Sequence, residues 1–369
     1  MERNHAMAGI VTAALVLAAV LGAWAKDTAM TARVTRTGDG EVVLEGVAGW
    51  AVGEKESSPH AAMESVLRAL GEDITYDYLV GVSGLAFRMQ VSKEGICPSS
   101  PHPNCGFACA ERSERASPWA SKGYGAKAED TAGVKAARAA VVASIDKGVP
   151  VRYGSEEDGV IFGYRKDGEE WISYHPLRDG GMKAVTETKW PWGITVYTEP
   201  NPRTPPRKDL VRESLEQAVA MSKADTSGNY FVGLKAWDVY TDRVAALDSA
   251  DDRTRGGSMV GNAWVYECLA QYRGVAARYL RTVSAEFGGK AAKHMRKAAD
   301  LYEKMATQVL TDKEHCVVTV APYPWMLREG ATWTTEARAD QVRRLRQARA
   351  LETQALAEIG MAVAAMTAK

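Results

Sequence analysis

Cys97, His102, Cys105 and Cys109 crowd one proline-rich stretch that also holds Pro98, Pro101 and Pro103. Three chemistries fit them. If Cys105 and Cys109 pair, Cys97 is a free thiol able to face a cleft as a nucleophile, since the thiolate is the reactive form. A Cys97–Cys105 or Cys97–Cys109 disulfide would instead pin the stretch. With His102 the set also has zinc's donor types, although the spacings match no standard finger. The chain has five cysteines, the others being Cys268 and Cys316, so at least one thiol stays unpaired within it. A second group is Ser58-Pro59-His60, which opens an apolar helical pattern. Ser58 reads as an N-cap with Pro59 in the first helical position. It also reads as a nucleophile at a helix N-terminus, where the dipole and free N–H groups favour an oxyanion, with His60 close by. Farther on, Asn262 and Glu267 are polar on an otherwise apolar helix, placed to cap a neighbouring element or line a pocket.

The elements that must position these residues follow from periodicity. Thr31–Thr37 and Glu41–Val47 flank Gly38-Asp39-Gly40 as a β-hairpin. A helix starts near Pro59, with Met63, Val66, Leu67 and Leu70 on one face and Gly71 after it. Leu85, Phe87 and Met89 alternate with polar or small residues as in a half-buried strand. Residues 92–127 read as irregular, and a helix is predicted over Glu129–Lys147. Strands follow over Val149–Tyr153 and Gly159–Tyr164, then Glu170–Tyr174 beyond an Asp167-Gly168 turn, then Gly193–Thr198. Residues 201–206 read as a stiff Pro-rich linker. Beyond it, helices are expected near 208–223, 229–248, 258–286, 288–311 and 335–366. The predicted class is α+β with an antiparallel sheet over residues 26–200, followed by an all-α helical bundle over 207–369. Trp237, Tyr240 and Trp264 are expected in helix packing, and Arg338, Arg343, Arg344, Arg346 and Arg349 on a solvated face.

The N-terminus predicts export. Met1–His5 is polar, Ala6–Gly22 is apolar except for Thr12, and Ala23-Trp24-Ala25 is a small-x-small cleavage site before Lys26-Asp27. The expectation is a signal peptide over residues 1–25, cleaved after Ala25, and a secreted or periplasmic product with no membrane span thereafter. An uncleaved anchor is the alternative, because Ala6–Ala25 is just long enough to span a bilayer. Lysine plus arginine balances aspartate plus glutamate at 46 each, which gives no electrostatic case for nucleic acid as a partner. No cofactor and no metal is expected. The partner expected is a peptide or small-molecule ligand.

Ser58-Pro-His-Ala-Ala-Met-Glu-Ser-Val-Leu-Arg-Ala-Leu-Gly71 resembles the first helix of papain-like peptidases that process bacteriocin leaders. Gly148-Val-Pro-Val151 with Gly159-Val-Ile-Phe-Gly-Tyr164 resembles their central hairpin. Tyr76-Asp-Tyr-Leu-Val-Gly-Val-Ser-Gly-Leu-Ala-Phe-Arg88 with Cys97-Pro-Ser-Ser100 is similar to a bacterial group related to the N-terminal acyltransferase domain of butirosin biosynthesis protein H. The resemblance covers about residues 45–200 and extends weakly to Asn262–Leu269. It implies a papain-like domain with a catalytic cysteine, histidine and aspartate. Those positions here carry Ser58, Glu157 (with Asp158 next) and His175. The expectation is therefore a degenerate cleft, lined by His60, Glu157, Asn262 and Glu267, that binds without peptidase activity. The alternative is an amide hydrolase or acyltransferase using Cys97, or using Ser58 with His175 and Asp158 or Glu157 as a rearranged triad.

Overall fold

The computed structural model describes residues 30–310 and 332–367, apart from 39, 52, 126, 128, 179 and 180. The expected signal peptide over residues 1–25, Cys316 and the extreme C-terminus lie outside the described residues. In chain order the elements begin with β1 (Arg33–Arg36), β2 (Val42–Glu45), α1 (Ser58–Ala69), α2 (Tyr76–Val82), β3 (Gln90–Ser92), α3 (Ala110–Arg115), β4 (Trp119–Tyr124) and α4 (Thr131–Asp146). They continue with β5 (Val151–Gly154), β6 (Asp158–Arg165), β7 (Glu170–Tyr174), β8 (Val185–Glu187) and β9 (Gly193–Pro200). The rest is α5 (Arg207–Lys223), β10 (Thr226–Ser227), β11 (Tyr230–Val232), α6 (Gly233–Ala246), α7 (Asp252–Ser284), α8 (Gly289–Lys304) and α9 (Thr335–Thr367). The molecule is thus a mixed α/β structure with an antiparallel sheet and a helical C-terminal region.

Every pairing in the main sheet is antiparallel. β6 is its centre: β5 pairs with its first half and β2 with its last residues, while β7 runs along the other edge. Gly159 to Tyr164 are buried without alternation, because α1 and α4 both pack on this strand. The predicted Asp167-Gly168 turn is realised, with φ of 53° at Asp167 and 87° at Gly168, the left-handed values a tight hairpin demands. α1 is buried on all sides except Arg68. A helix in that position has no solvent face, so the stripe of Met63, Val66 and Leu67 describes only half of its contacts.

Three local expectations change. Leu85–Phe87 is a 3-10 turn entered through Gly84 at φ 85°, and the strand is confined to Gln90–Ser92. A short helix, α2, precedes it, capped by the Thr75 hydroxyl accepting from Tyr78 N at 3.2 Å. Leu85, Phe87 and Met89 alternate with residues that are buried as well, so the apparent half-buried pattern had no exposed face behind it. The stretch 92–127 holds α3 and β4, the latter paired along β9. Finally, the helix expected from 229 begins at Gly233, because Tyr230–Val232 pair with β3 in a separate sheet. The first and second halves of the chain therefore share a β-sheet.

The helical region closes on the sheet region through buried charge. Arg273 of α7 forms a two-point pair with Glu352 of α9, at 2.8 and 3.1 Å. Its Nη1 donates to the carbonyls of Ala86, at 2.9 Å, and Arg88, at 3.3 Å. Both side chains are buried, and burial pushes the Glu352 carboxyl above its ordinary range even against the pull of Arg273. The arginine series of α9 is not uniformly solvated, contrary to expectation. Arg338 and Arg344 are buried; Arg338 reaches Asp248 and the Trp333 carbonyl, and Arg344 reaches Asp340 and the Val309 carbonyl. Among the described residues no helix is long and apolar enough to cross a membrane.

The stretch 97–109 is held by side chains from β3 and the turn before it. The buried Arg88 guanidinium donates to the carbonyls of Ser100, Pro101, His102, Cys105 and Phe107, at 2.8–3.2 Å. Gln90 donates to Ser100 O and Cys105 O and accepts from Phe107 N. Gly106 sits at φ 61°, and a Cβ there would fall 2.3 Å from the Gln90 amide oxygen. A planar fork suits this carbonyl fan, whereas an ammonium has three donors at one point. Arg88→Lys should lose at least two of these five charge-assisted hydrogen bonds and lower stability by about 3–6 kcal/mol, at about 1.5–3 kcal/mol each. A urea-unfolding midpoint unchanged from the parent would show that the stretch is held by something else.

Candidate functional site

A cavity of about 400 Å³ opens where the N-terminus of α1, the β5–β6 turn, the 97–109 stretch and α7 meet. Its apolar walls are Pro59, Pro98, Pro101 and Pro103, with Trp264 and Tyr272 from α7. Trp192, 67% exposed, stands at its edge, and its backbone N–H donates to Gly154 O at 2.9 Å. The polar lining includes Glu56, Ser57, Glu157 and Asp158. The tight turn between Gly154 and Asp158, which pair with each other across β5 and β6, sets Glu157 opposite α1.

The start of α1 differs from expectation by one residue. Ser57, not Ser58, is the N-cap, and its hydroxyl caps no backbone N–H. Its Oγ lies 2.6 Å from His60 Nδ1. Ser57 N–H donates to the Tyr76 hydroxyl at 3.0 Å, and that hydroxyl donates to Gln271 Oε1 of α7 at 3.2 Å. Ser58 is the first helical residue, turned toward the sheet. It donates to Glu157 Oε2 and accepts from Asp158 N–H at 2.9 Å. Two adjacent serines before Pro59 satisfy the same capping pattern, so the sequence could not say which one would turn inward.

His175 does not reach Ser58, and the rearranged triad is not assembled. Its Nε2 lies 2.8 Å from Ser155 Oγ and 3.1 Å from the Glu157 carbonyl, and its Nδ1 accepts from Leu177 N–H at 3.1 Å. The ring stacks on Tyr153 and lines a neighbouring crevice. Asp158 pairs with Arg152 at 3.7 Å; burial raises its carboxyl to about 6 against that attraction. His60 lies behind the wall rather than in it. Burial drops it to about 3, helped by Arg152, His102 and Arg88, so it is neutral at physiological pH, and its buried Nε2 has no hydrogen-bond partner.

The cysteine stretch does not take either paired form. Cys97, Cys105, Cys109 and Cys268 are free thiols; the expected bridge from Cys97 is absent, and the hydrogen bonds of Arg88 and Gln90 do its work. Cys97 Sγ lies 3.1 Å from Ser99 Oγ, which lies 2.9 Å from the Tyr230 hydroxyl. That places hydroxyls, not an imidazole, beside the thiol. Cys105 and His102 line the cavity, but no metal-holding group of three or more His, Cys, Asp or Glu exists among the described residues, so the zinc alternative falls away. Asn262 is also displaced from the expected cleft. It exchanges amide hydrogen bonds with Gln341 of α9, at 2.7 and 3.1 Å, and accepts from the Tyr240 hydroxyl at 2.6 Å. It ties three helices together in the core.

Glu56 is the residue that pattern reading missed. It is 4% exposed, forms part of the cavity wall, and its Oε2 has no hydrogen-bond partner. Burial raises its carboxyl to about 8, and the charges of Glu267 and Glu157 add to the effect. Glu267 therefore acts on the site electrostatically although it is not part of the wall. A glutamate just before a helix is unremarkable in a sequence; its isolation is made by α7 and the β5–β6 turn.

The raised carboxyl has a defined pH signature. The unfolded chain releases this proton near 4.5 and the folded one near 8, so the native state binds more protons across that interval and stability falls as pH rises through it. Glu56→Gln should remove this component. The difference in unfolding midpoint between variant and parent should grow in the variant's favour from pH 5 to pH 8; a pH-independent difference would contradict the assignment. Neither a protein-family model nor a curated protein matches this chain.

Proposed function

We propose that this chain is an exported binding protein in which a papain-like cleft has lost its peptidase chemistry and holds a peptide or small ligand. One observation carries the reading. The Ser58 hydroxyl, at the position where the resemblance puts the nucleophile, is 1% exposed and donates its proton to Glu157. It has no imidazole beside it to serve as its base. Ser58, Glu157 and the His175–Glu157 backbone contact do neighbour one another, which supports the papain-like assignment. The residue types in those positions do not form a nucleophile–base pair, which supports binding over catalysis. The cavity's apolar walls and few convergent polar groups are the composition of a small-ligand site.

A hydrolase or acyltransferase reading rests on a different pair, Ser57 and His60, because Ser57 lines the cavity and lies 2.6 Å from the ring. It is the weaker of the two. The imidazole would have to become charged where burial has already depressed its affinity for protons, with no carboxylate at Nε2 to steady it. The two readings separate on turnover of p-nitrophenyl acetate and of a fluorogenic peptide amide. The binding reading expects rates at the buffer level for the parent, Ser57→Ala and Ser58→Ala alike. Turnover by the parent that disappears in either variant overturns it.

A further inference from the structure

We infer that the cavity takes a ligand bearing a primary ammonium group on an apolar body, with Glu56 as the carboxylate that receives it. The inference rests on the binding reading and names its ligand class. The cavity wall carries four carboxyl groups, Glu56, Glu156, Glu157 and Asp158, and no lysine or arginine. The nearby guanidiniums are already engaged. Arg152 is paired with Glu114, at 2.5 Å, and with Asp158, and Arg88 is spent on the carbonyl fan. The one imidazole in the wall, His102, is brought down to about 4 by burial and by Arg88, and is neutral.

Carboxyl groups alone would not define a site. The independent observation is the Glu56 Oε2 atom, buried and without a donor in a residue that borders the empty volume. A buried polar atom without a partner is costly whether or not it carries the carboxyl proton. The Gly53 N–H bonds the Glu56 carboxyl but leaves Oε2 unpaired, and the other groups facing it do not reach that atom: α7 contributes the Glu267 carboxylate and the Cys268 thiol, the β5–β6 turn contributes Glu157, and the Tyr76 hydroxyl gives its proton to Gln271. An ammonium supplies both the missing donor and the missing positive charge. Trp264, Tyr272 and the prolines accommodate an apolar body beside it, and the aromatic faces favour a cation.

Proton bookkeeping gives the proposal a signature. In the ligand-free protein Glu56 holds its proton at neutral pH. An ammonium ion entering beside it displaces that proton to the buffer, so up to one proton leaves per ligand bound. The experiment compares phenethylamine, 2-phenylethanol and 3-phenylpropanoate by calorimetry at pH 7 in two buffers of different ionisation enthalpy. The expected result is at least tenfold tighter binding of the amine than of the alcohol. The apparent amine enthalpy should depend on the buffer, and the carboxylate should not bind measurably. Glu56→Gln should lose the amine preference and the proton release while still binding the alcohol, which shows that its cavity is intact. Equal affinity for alcohol and amine, or amine binding without proton release, overturns the ammonium inference and leaves the binding reading standing. Binding of none of the three overturns it as well. Ester or amide turnover dependent on Ser57 or Ser58 is what overturns the binding reading itself.

Discussion

Two arginines in series hold the cavity open. Arg273 of the long helix α7 is anchored by Glu352 and grips the backbone carbonyls of Ala86 and Arg88. Arg88 in turn spends its guanidinium on the carbonyls of the 97–109 stretch. The wall that carries Pro98, Pro101, Pro103, His102 and Cys105 is thereby suspended from the helical region through one continuous set of charge-assisted hydrogen bonds. Irregular backbone can be buried only if its carbonyls find donors, and an arginine supplies five. Gly261 lets α7 come close enough for this arrangement: a Cβ there would meet the Ile96 carbonyl at 1.9 Å.

The same closeness sets the electrostatics of the cavity. α7 brings Glu267 toward Glu56 and provides Gln271, which accepts from the Tyr76 hydroxyl and donates to the Glu54 carbonyl at 2.7 Å. The loop before α1 is therefore fixed from the helical side. In a site shielded from water, charges of one sign cannot all persist, and the group with the least compensation keeps its proton. Glu157 has the Ser58 hydroxyl and Asp158 has Arg152. Glu56 Oε2 has neither kind of partner.

Much of the fold was legible because its signals are local. The β1–β2 hairpin, the helix from Ser58, the turn at Asp167-Gly168 and the long helices beyond residue 207 all follow from periodicity and turn chemistry over a few residues, and they form close to their expected bounds. Reading failed where a neighbour distant in sequence changed the outcome. Leu85–Met89 looked like a strand because alternation is normally a sign of one wet face, and here both faces are covered. Residues 230–232 were absorbed into a helix because nothing near them shows that β3 waits to pair. The cysteines suggested bridges because their crowding is visible, whereas the arginine that replaces those bridges is one residue among many.

The candidate site divides in the same way. The sequence by itself determined that Ser58 would stand at the start of a helix with an apolar face, and that Glu157 would stand between two strands with Asp158 next to it, since caps and turns are set by adjacent residues. Only the tertiary structure decided that Ser58 would turn inward to Glu157 while Ser57 faces the cavity, that Asn262 would serve the core, and that Glu56 Oε2 would be left without a partner. Those outcomes depend on which groups meet across the sheet and along α7, in a medium whose low polarity makes a single missing or extra partner decisive.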